Sequence, residues 1–178
     1  MRRILVIGSG GAGKSTLARC VSERLGLPLL HLDRMYWRPG WIATPKEEWR
    51  QTVESAIAAE TWIMDGNYGG TMDIRIRAAD TIIFLDLPRL LCLWRIVRRQ
   101  VQWRGRSRPD MTPGCPERLT AQFVGWVWNY PRRRRGEVLR LLNALADGKR
   151  VVVLSSRRSV NEFVRDLPTG EHPVRPVK

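Results

Sequence analysis

Residues 8 to 15 read Gly8-Ser9-Gly10-Gly11-Ala12-Gly13-Lys14-Ser15, a complete G-x-x-x-x-G-K-[ST] pattern. Glycines let the backbone turn its N–H groups inward around an anion. Lys14 brings a charge to the outer phosphates, and Ser15 offers a hydroxyl to a divalent cation. This constellation suits the polyphosphate tail of ATP with Mg²⁺. The candidate nucleotide set is Gly8, Gly10, Gly11, Ala12, Gly13, Lys14, Ser15 and Thr16.

A metal beside a triphosphate calls for a carboxylate, and two apolar runs end in one, at Asp65 and at Asp86. A third, Asp33, closes the run from Leu27, and Arg34, Tyr36, Trp37, Arg38 and Trp41 follow it. In an open α/β sheet ligands bind at the carboxyl ends of the strands, so Asp33 is expected on the same rim as residues 8 to 15. A carboxylate there can take the proton of an alcohol that attacks a phosphoryl group, whereas an acceptor phosphate is already ionised. The expected acceptor is a hydroxyl-bearing small molecule, nucleoside-like or sugar-like. Asp33 is its base or hydroxyl orienter, with Arg34, Tyr36, Trp37, Asn67, Tyr68 and Arg75 as candidate contacts. The rings have a second role open to them, packing the acceptor side against the sheet.

The elements that must hold these groups follow from periodicity. Residues 3–8, 27–33, 61–65, 80–86 and 150–156 are short apolar runs, each read as a buried strand, and helical patterns lie between them. Residues 14–26 place Leu17, Ala18, Val21 and Leu25 at helical spacing before Gly26. Thr44, Pro45 and Glu47 predict a capping box, as do residues 159–162. A helix is expected from about Leu90 to Val101, then a loop over 104–116, then two helices divided by Pro131. Strands alternating with helices predict a doubly wound α/β domain. The expected division is a single domain over 1–167, a lid at about 100–118, an acceptor-side region at about 33–60 and a flexible tail over 168–178.

Composition narrows the class further. The chain has 178 residues and 43% hydrophobic residues, enough for one buried core. No run approaches the roughly 18 apolar residues that span a bilayer, and residues 1–11 do not form a signal peptide, so no membrane partner and a cytoplasmic location are expected. Cys20, Cys92 and Cys115 lack CxxC spacing, and His31 and His172 are the only histidines, which argues against zinc or a disulfide framework. Net charge is +14, and lysine supplies only Lys14, Lys46, Lys149 and Lys178 of the 31 basic residues. Arginine suits bidentate phosphate contacts. The arginine runs at 104–108 and 132–135, with tryptophans nearby, keep a nucleic-acid-binding function as an alternative. Nothing in the chain decides between a monomer and a homodimer.

With the 8–15 loop, Asp65-Gly-Asn-Tyr68 and the 85–99 segment in view, the chain resembles small P-loop kinases of the adenylate-kinase-related group. Through residues 31–41, 65–68, 108–118 and 128–132 it resembles, more narrowly, the DNA-topology-modulation (FlaR-related) proteins. The resemblance implies a five-stranded parallel sheet of order 2-3-1-4-5 with helices on both faces, a P-loop kinase fold and a small arginine-rich lid. It also implies ATP and Mg²⁺, with Asp65 rather than Asp86 serving the metal together with Ser15. It places Arg95 and Arg99 among the catalytic groups beside Lys14 and Asp33, makes Arg104, Arg106 and Arg108 lid residues, and sets Ser155 and Arg157 beside the adenine. Adenylate kinases carry an arginine after their strand-end aspartate-glycine, which is missing here. A nucleoside monophosphate kinase therefore remains an alternative, with Arg75 as the candidate clamp. Shikimate-, gluconate- and nucleoside-type P-loop kinases resemble the chain in having an acid just after strand 2.

Overall fold

The computed structural model describes residues 1–168. The expected flexible tail lies outside them except for Pro168, and so does His172. Five parallel strands form one sheet: β1 (Arg3–Gly8), β2 (Leu29–His31), β3 (Trp62–Asp65), β4 (Thr81–Leu85) and β5 (Arg150–Leu154). Their order, β2-β3-β1-β4-β5, is the one that the resemblance to P-loop kinases implies. The helices are α1 (Lys14–Leu25), α2 (Leu32–Tyr36), α3 (Lys46–Ile57), α4 (Met72–Ala78), α5 (Arg89–Gln102), α6 (Ala121–Arg133), α7 (Arg135–Leu145) and α8 (Arg157–Arg165). No helix of the described residues is long and apolar enough to cross a membrane.

Side chains alternate across a strand, so one apolar run feeds two cores. On β1, Leu5 and Ile7 join Trp62, Met64, Ile82 and Phe84 beneath α3, α4 and α7. Ile4 and Val6 join Ile63, Ile83 and Leu85 beneath α1, α5 and α8. Helix α6 serves both, sending Tyr130 to the first core and Val127 to the second. Helices thus cover both faces, and the strand ends stay free to carry functional groups.

Several boundaries differ from the sequence reading. Strand β2 stops at His31, and Asp33 lies in the first turn of α2 rather than at a strand end. The Thr44–Glu47 capping box does not form. The Thr44 hydroxyl instead donates to the Tyr36 carbonyl (2.6 Å), and Pro45 takes the cap position. At α8 the capping box is Ser156 with Ser159, three residues earlier than expected, because the helix begins at Arg157. Pro131 sits inside α6, and the break falls after Arg133.

Candidate active site

The sheet register sets the site. Val6 and His31 both pair with Asp65, and Gly8 pairs with Leu85, which brings the ends of β1, β2, β3 and β4 together at one rim. A cavity of about 1570 Å³ opens over that rim.

Residues 10–16 line one end of it. Gly11 (φ 75°) and Gly13 (φ 95°) sit in the left-handed region, where a side chain is strained. A Cβ on Gly11 would collide with the Cys92 carbonyl of α5. At Gly11 the loop is thus pressed against α5, with no room for a side chain. No side chain caps α1, which leaves its first-turn N–H groups to a ligand. Lys14 folds over the loop and donates to the carbonyls of Gly8 (3.1 Å) and Ser9 (3.0 Å). Burial lowers its pKa against the opposing pull of Asp33 and Asp65. Arg95 donates to the Ala12 carbonyl (2.9 Å). Burial and the nearby charge of Arg157 lower its pKa below the usual arginine value. Two guanidiniums and an ammonium therefore converge here without a carboxylate in contact, which suits a polyphosphate.

Of the two metal-serving candidates, Asp65 lines the cavity and Asp86 does not. Both oxygens of Asp86 are taken by the Arg135 guanidinium (3.0 and 2.8 Å). Asp65 is buried and bonded to His31 Nδ1 at 2.7 Å. Burial works against a charged His31, yet the Asp65 bond and charge outweigh it and raise its pKa. Ser15 and Asp65 both line the cavity.

At the acceptor end, Asp33 keeps a side chain 43% exposed. Tyr68 donates its hydroxyl to Asp33 Oδ1 at 2.6 Å. Burial, and then the Asp33 charge, pushes the Tyr68 pKa up, so this phenol stays a donor. Tyr68 itself is held at positive φ between Tyr36 and Trp49. Asn67 lines the cavity, yet its amide clips both the N–H and the carbonyl of Gly8 (3.1 and 2.7 Å), tying the β3 loop to the phosphate loop.

Three expected contacts fall elsewhere. Arg75 is completely buried and donates to the carbonyls of Thr71, Gly66, Asn67 and Tyr68, so it holds the 66–68 loop and is no acceptor clamp. Arg34 is exposed and outside the cavity, and Tyr36 packs against the core as well as against Trp37. Trp37 does line the cavity. On the adenine side Arg157 lines it, while Ser155 is exposed and does not.

The lid carries what sequence reasoning missed. Arg99, expected among the catalytic groups, lines the cavity but is paired with Glu117 (2.8 Å), and Arg108 lies between Asp110 (2.7 Å) and Glu117 (2.7 Å), reaching to 4.0 Å from Asp33. Burial alone would raise the Asp110 pKa, but Arg108 and the Ser15 hydroxyl outweigh it and lower it. The 108–118 motif was visible in the sequence, but nothing in it said that its acids face its own arginines. The lid is also fastened to the acceptor side. The Thr112 hydroxyl sits 2.8 and 2.6 Å from the carbonyls of Arg34 and Trp37. Gly40 N–H donates to Gly114 (2.9 Å), and Trp41 Nε1 donates to Pro116 (3.0 Å).

No family model matches the chain. Over 131 residues, 72% of each chain, it is 30% identical to the uncharacterized protein YqaC of Bacillus subtilis. Among solved structures it resembles shikimate kinase from Acinetobacter baumannii in complex with shikimate, with a TM-score of 0.56 at 16% identity over 93% of this chain and 89% of that one. A gluconokinase from Sinorhizobium meliloti gives 0.52 at 17% identity over 92% and 87%. At these identities the likeness is one of fold.

Proposed function

The chain belongs to the family of YqaC from Bacillus subtilis, and for it we propose an ATP-dependent phosphotransferase that phosphorylates a hydroxyl group of a small molecule. The observation that carries this reading is the shared cavity: Lys14 in its glycine cradle and Asp33, with one oxygen held by Tyr68, face the same space. The fold is also that of kinases named for shikimate and gluconate, both small hydroxy acids.

In this reading Lys14, Arg95 and the α1 amides hold the phosphate tail and offset charge on the transferring group. Ser15 and Asp65 hold Mg²⁺, which when bound supplies further charge neutralisation at the phosphates. Asp33 orients the acceptor hydroxyl and takes its proton as the oxygen bonds to the γ-phosphorus. The bond from that phosphorus to the bridging β–γ oxygen breaks, and ADP leaves. Tyr68 keeps Asp33 aimed, and Arg108 adds a positive charge near its second oxygen. The lid, latched to residues 34–41, excludes water.

The monophosphate-kinase alternative loses its clamp, since Arg75 is spent on main-chain carbonyls. In the basic run at 132–135, Arg134 pairs with Glu137 and Arg135 with Asp86, which weakens its case as a nucleic-acid footprint. The test is Asp33→Asn in an ADP-release assay with an active acceptor. We expect kcat to fall by about 10²–10⁴ with Mg·ATP affinity retained. A variant with unchanged kcat and only a higher KM would remove Asp33 from the proton transfer.

A further inference from the structure

Helix α5 turns one apolar stripe to solvent. Leu90, Trp94, Val97 and Val101 recur every four, three and four positions, which sets them on one side of a helix. Their exposures run from 50% to 75%, while Cys92 and Ile96 on the opposite side are buried in the core. Scattered exposed hydrophobics are ordinary, but four in register along one helix form a patch. Two indole–guanidinium pairs border it. Arg98 lies over Trp94 at 5.4 Å, and Arg89 lies over the partly exposed Trp128 of α6 at 4.1 Å.

The charge around the stripe has one sign. Residues 87 to 109 hold seven arginines and no acid. Arg95, Arg99 and Arg108 turn to the phosphate loop or to the lid. Arg89, Arg98, Arg104 and Arg106 have no carboxylate partner among the described residues, and neither has Arg132, one turn beyond Trp128 on α6. A second copy would only add arginines to a face that already lacks acids. A strip about 16 Å long and about 10 Å wide also falls far short of the ~800 Å² per partner in a stable pair. Single-stranded bases need ring faces, yet three of the four stripe residues are aliphatic. An aliphatic strip edged by indoles and guanidiniums matches the boundary of an anionic bilayer. Acyl chains receive the aliphatic groups there, indoles sit at headgroup depth and arginines meet phosphates.

We propose that the exposed face of α5 docks on an anionic phospholipid surface, with Leu90, Trp94, Val97 and Val101 at the boundary between headgroups and acyl chains. The net charge of +14 draws the chain to such a surface, and the stripe selects the face that meets it. This departs from the expectation of no membrane partner, which follows from the lack of a spanning run. A helix lying along a surface needs no such run. The docking goes beyond the phosphotransfer reading and does not depend on it. Trp94 and Arg98 also line the cavity, so one side of the cavity lies next to the docked face.

The experiment is sedimentation of the full chain with vesicles of phosphatidylcholine alone, or of phosphatidylcholine and phosphatidylglycerol in equal parts. Binding should be at least about tenfold tighter to the mixed vesicles and should weaken as salt rises. Leu90→Gln, Val97→Gln and Val101→Gln combined keep net charge and helix propensity, and none of the three residues lines the cavity. This triple variant should lose at least about tenfold in affinity for the mixed vesicles, with its melting temperature unchanged. Val101→Gln alone, at the most exposed of the four positions, should lose about threefold and guards against a folding defect in the triple variant. Unchanged affinity in both variants would assign the binding to net charge alone and overturn the inference. Equal affinity for the two vesicle types, or none for either, overturns it as well. Dimerisation that the triple variant abolishes, without vesicle binding by the parent, gives the face to a second copy and also overturns it.

Discussion

The two ends of the cavity are made from different material. At the phosphate end, eight consecutive residues supply a backbone cradle together with the Lys14 and Ser15 side chains, and the neighbouring strand and helix fix their shape. At the acceptor end, Asp33, Trp37 and Trp41 come from one stretch, Tyr68 from a second, and Arg108, Asp110 and Glu117 from a third. Contacts between residues roughly 75 positions apart hold those stretches together, such as Thr112 to the Trp37 carbonyl. A contiguous backbone site tolerates almost no side-chain change, whereas an assembled one can vary residue by residue. On the proposed function, that difference assigns a rigid grip to the phosphate end and the selection of the acceptor to the lid clasp.

The contrast can be broken most severely at the joint between the two ends. Arg75→Leu would remove the guanidinium from four carbonyls of residues 66 to 71, of which Tyr68 alone keeps the Thr71 N–H as a second donor outside α4. A loss of about 3–5 kcal/mol is expected, since each buried unsatisfied polar group costs on the order of 1–3. The urea midpoint measures it, and an unchanged midpoint would mean that Arg75 is no loop-holder. Gly11→Ala attacks the phosphate end alone. Its Cβ meets the Cys92 carbonyl at a positive φ, so about 3 kcal/mol of stability and most Mg·ATP affinity should go. Thermal melts with and without nucleotide check both parts. Thr112→Val probes the clasp alone. About 1 kcal/mol is expected, with faster tryptic cleavage at Arg104 and Arg106 and Mg·ATP affinity preserved. Equal sensitivity of nucleotide affinity to Gly11→Ala and Thr112→Val would erase the distinction between the two ends.

The same division explains what the sequence disclosed. The alternation of strands and helices and the 8–15 loop were legible because each depends on local periodicity or on a contiguous motif, whereas the strand order came only from the resemblance to P-loop kinases. Asp33 was legible as a rim residue although β2 ends two residues earlier than read, because the helix that follows still starts at that rim. Arg75 was misread because a charged residue four positions into a helix gives no sign that loop carbonyls will surround it. The Asp110–Arg108–Glu117 cluster could not be read either. Its members lie two and nine positions apart in a loop without period, and only the lid's fold turns them toward one another. Trp41 showed its type in the sequence but not its backbone, since nothing local demands a positive φ at that position.

The most direct test of the central claim, that residues 8 to 15 hold the phosphates of a nucleotide, is calorimetric titration with Mg²⁺ and a non-hydrolysable ATP analogue. The parent protein should bind one equivalent per chain, and Lys14→Ala should weaken that binding by at least about 100-fold, or about 2.7 kcal/mol. Equal affinity in the two proteins, or no heat from the parent at all, would contradict the account.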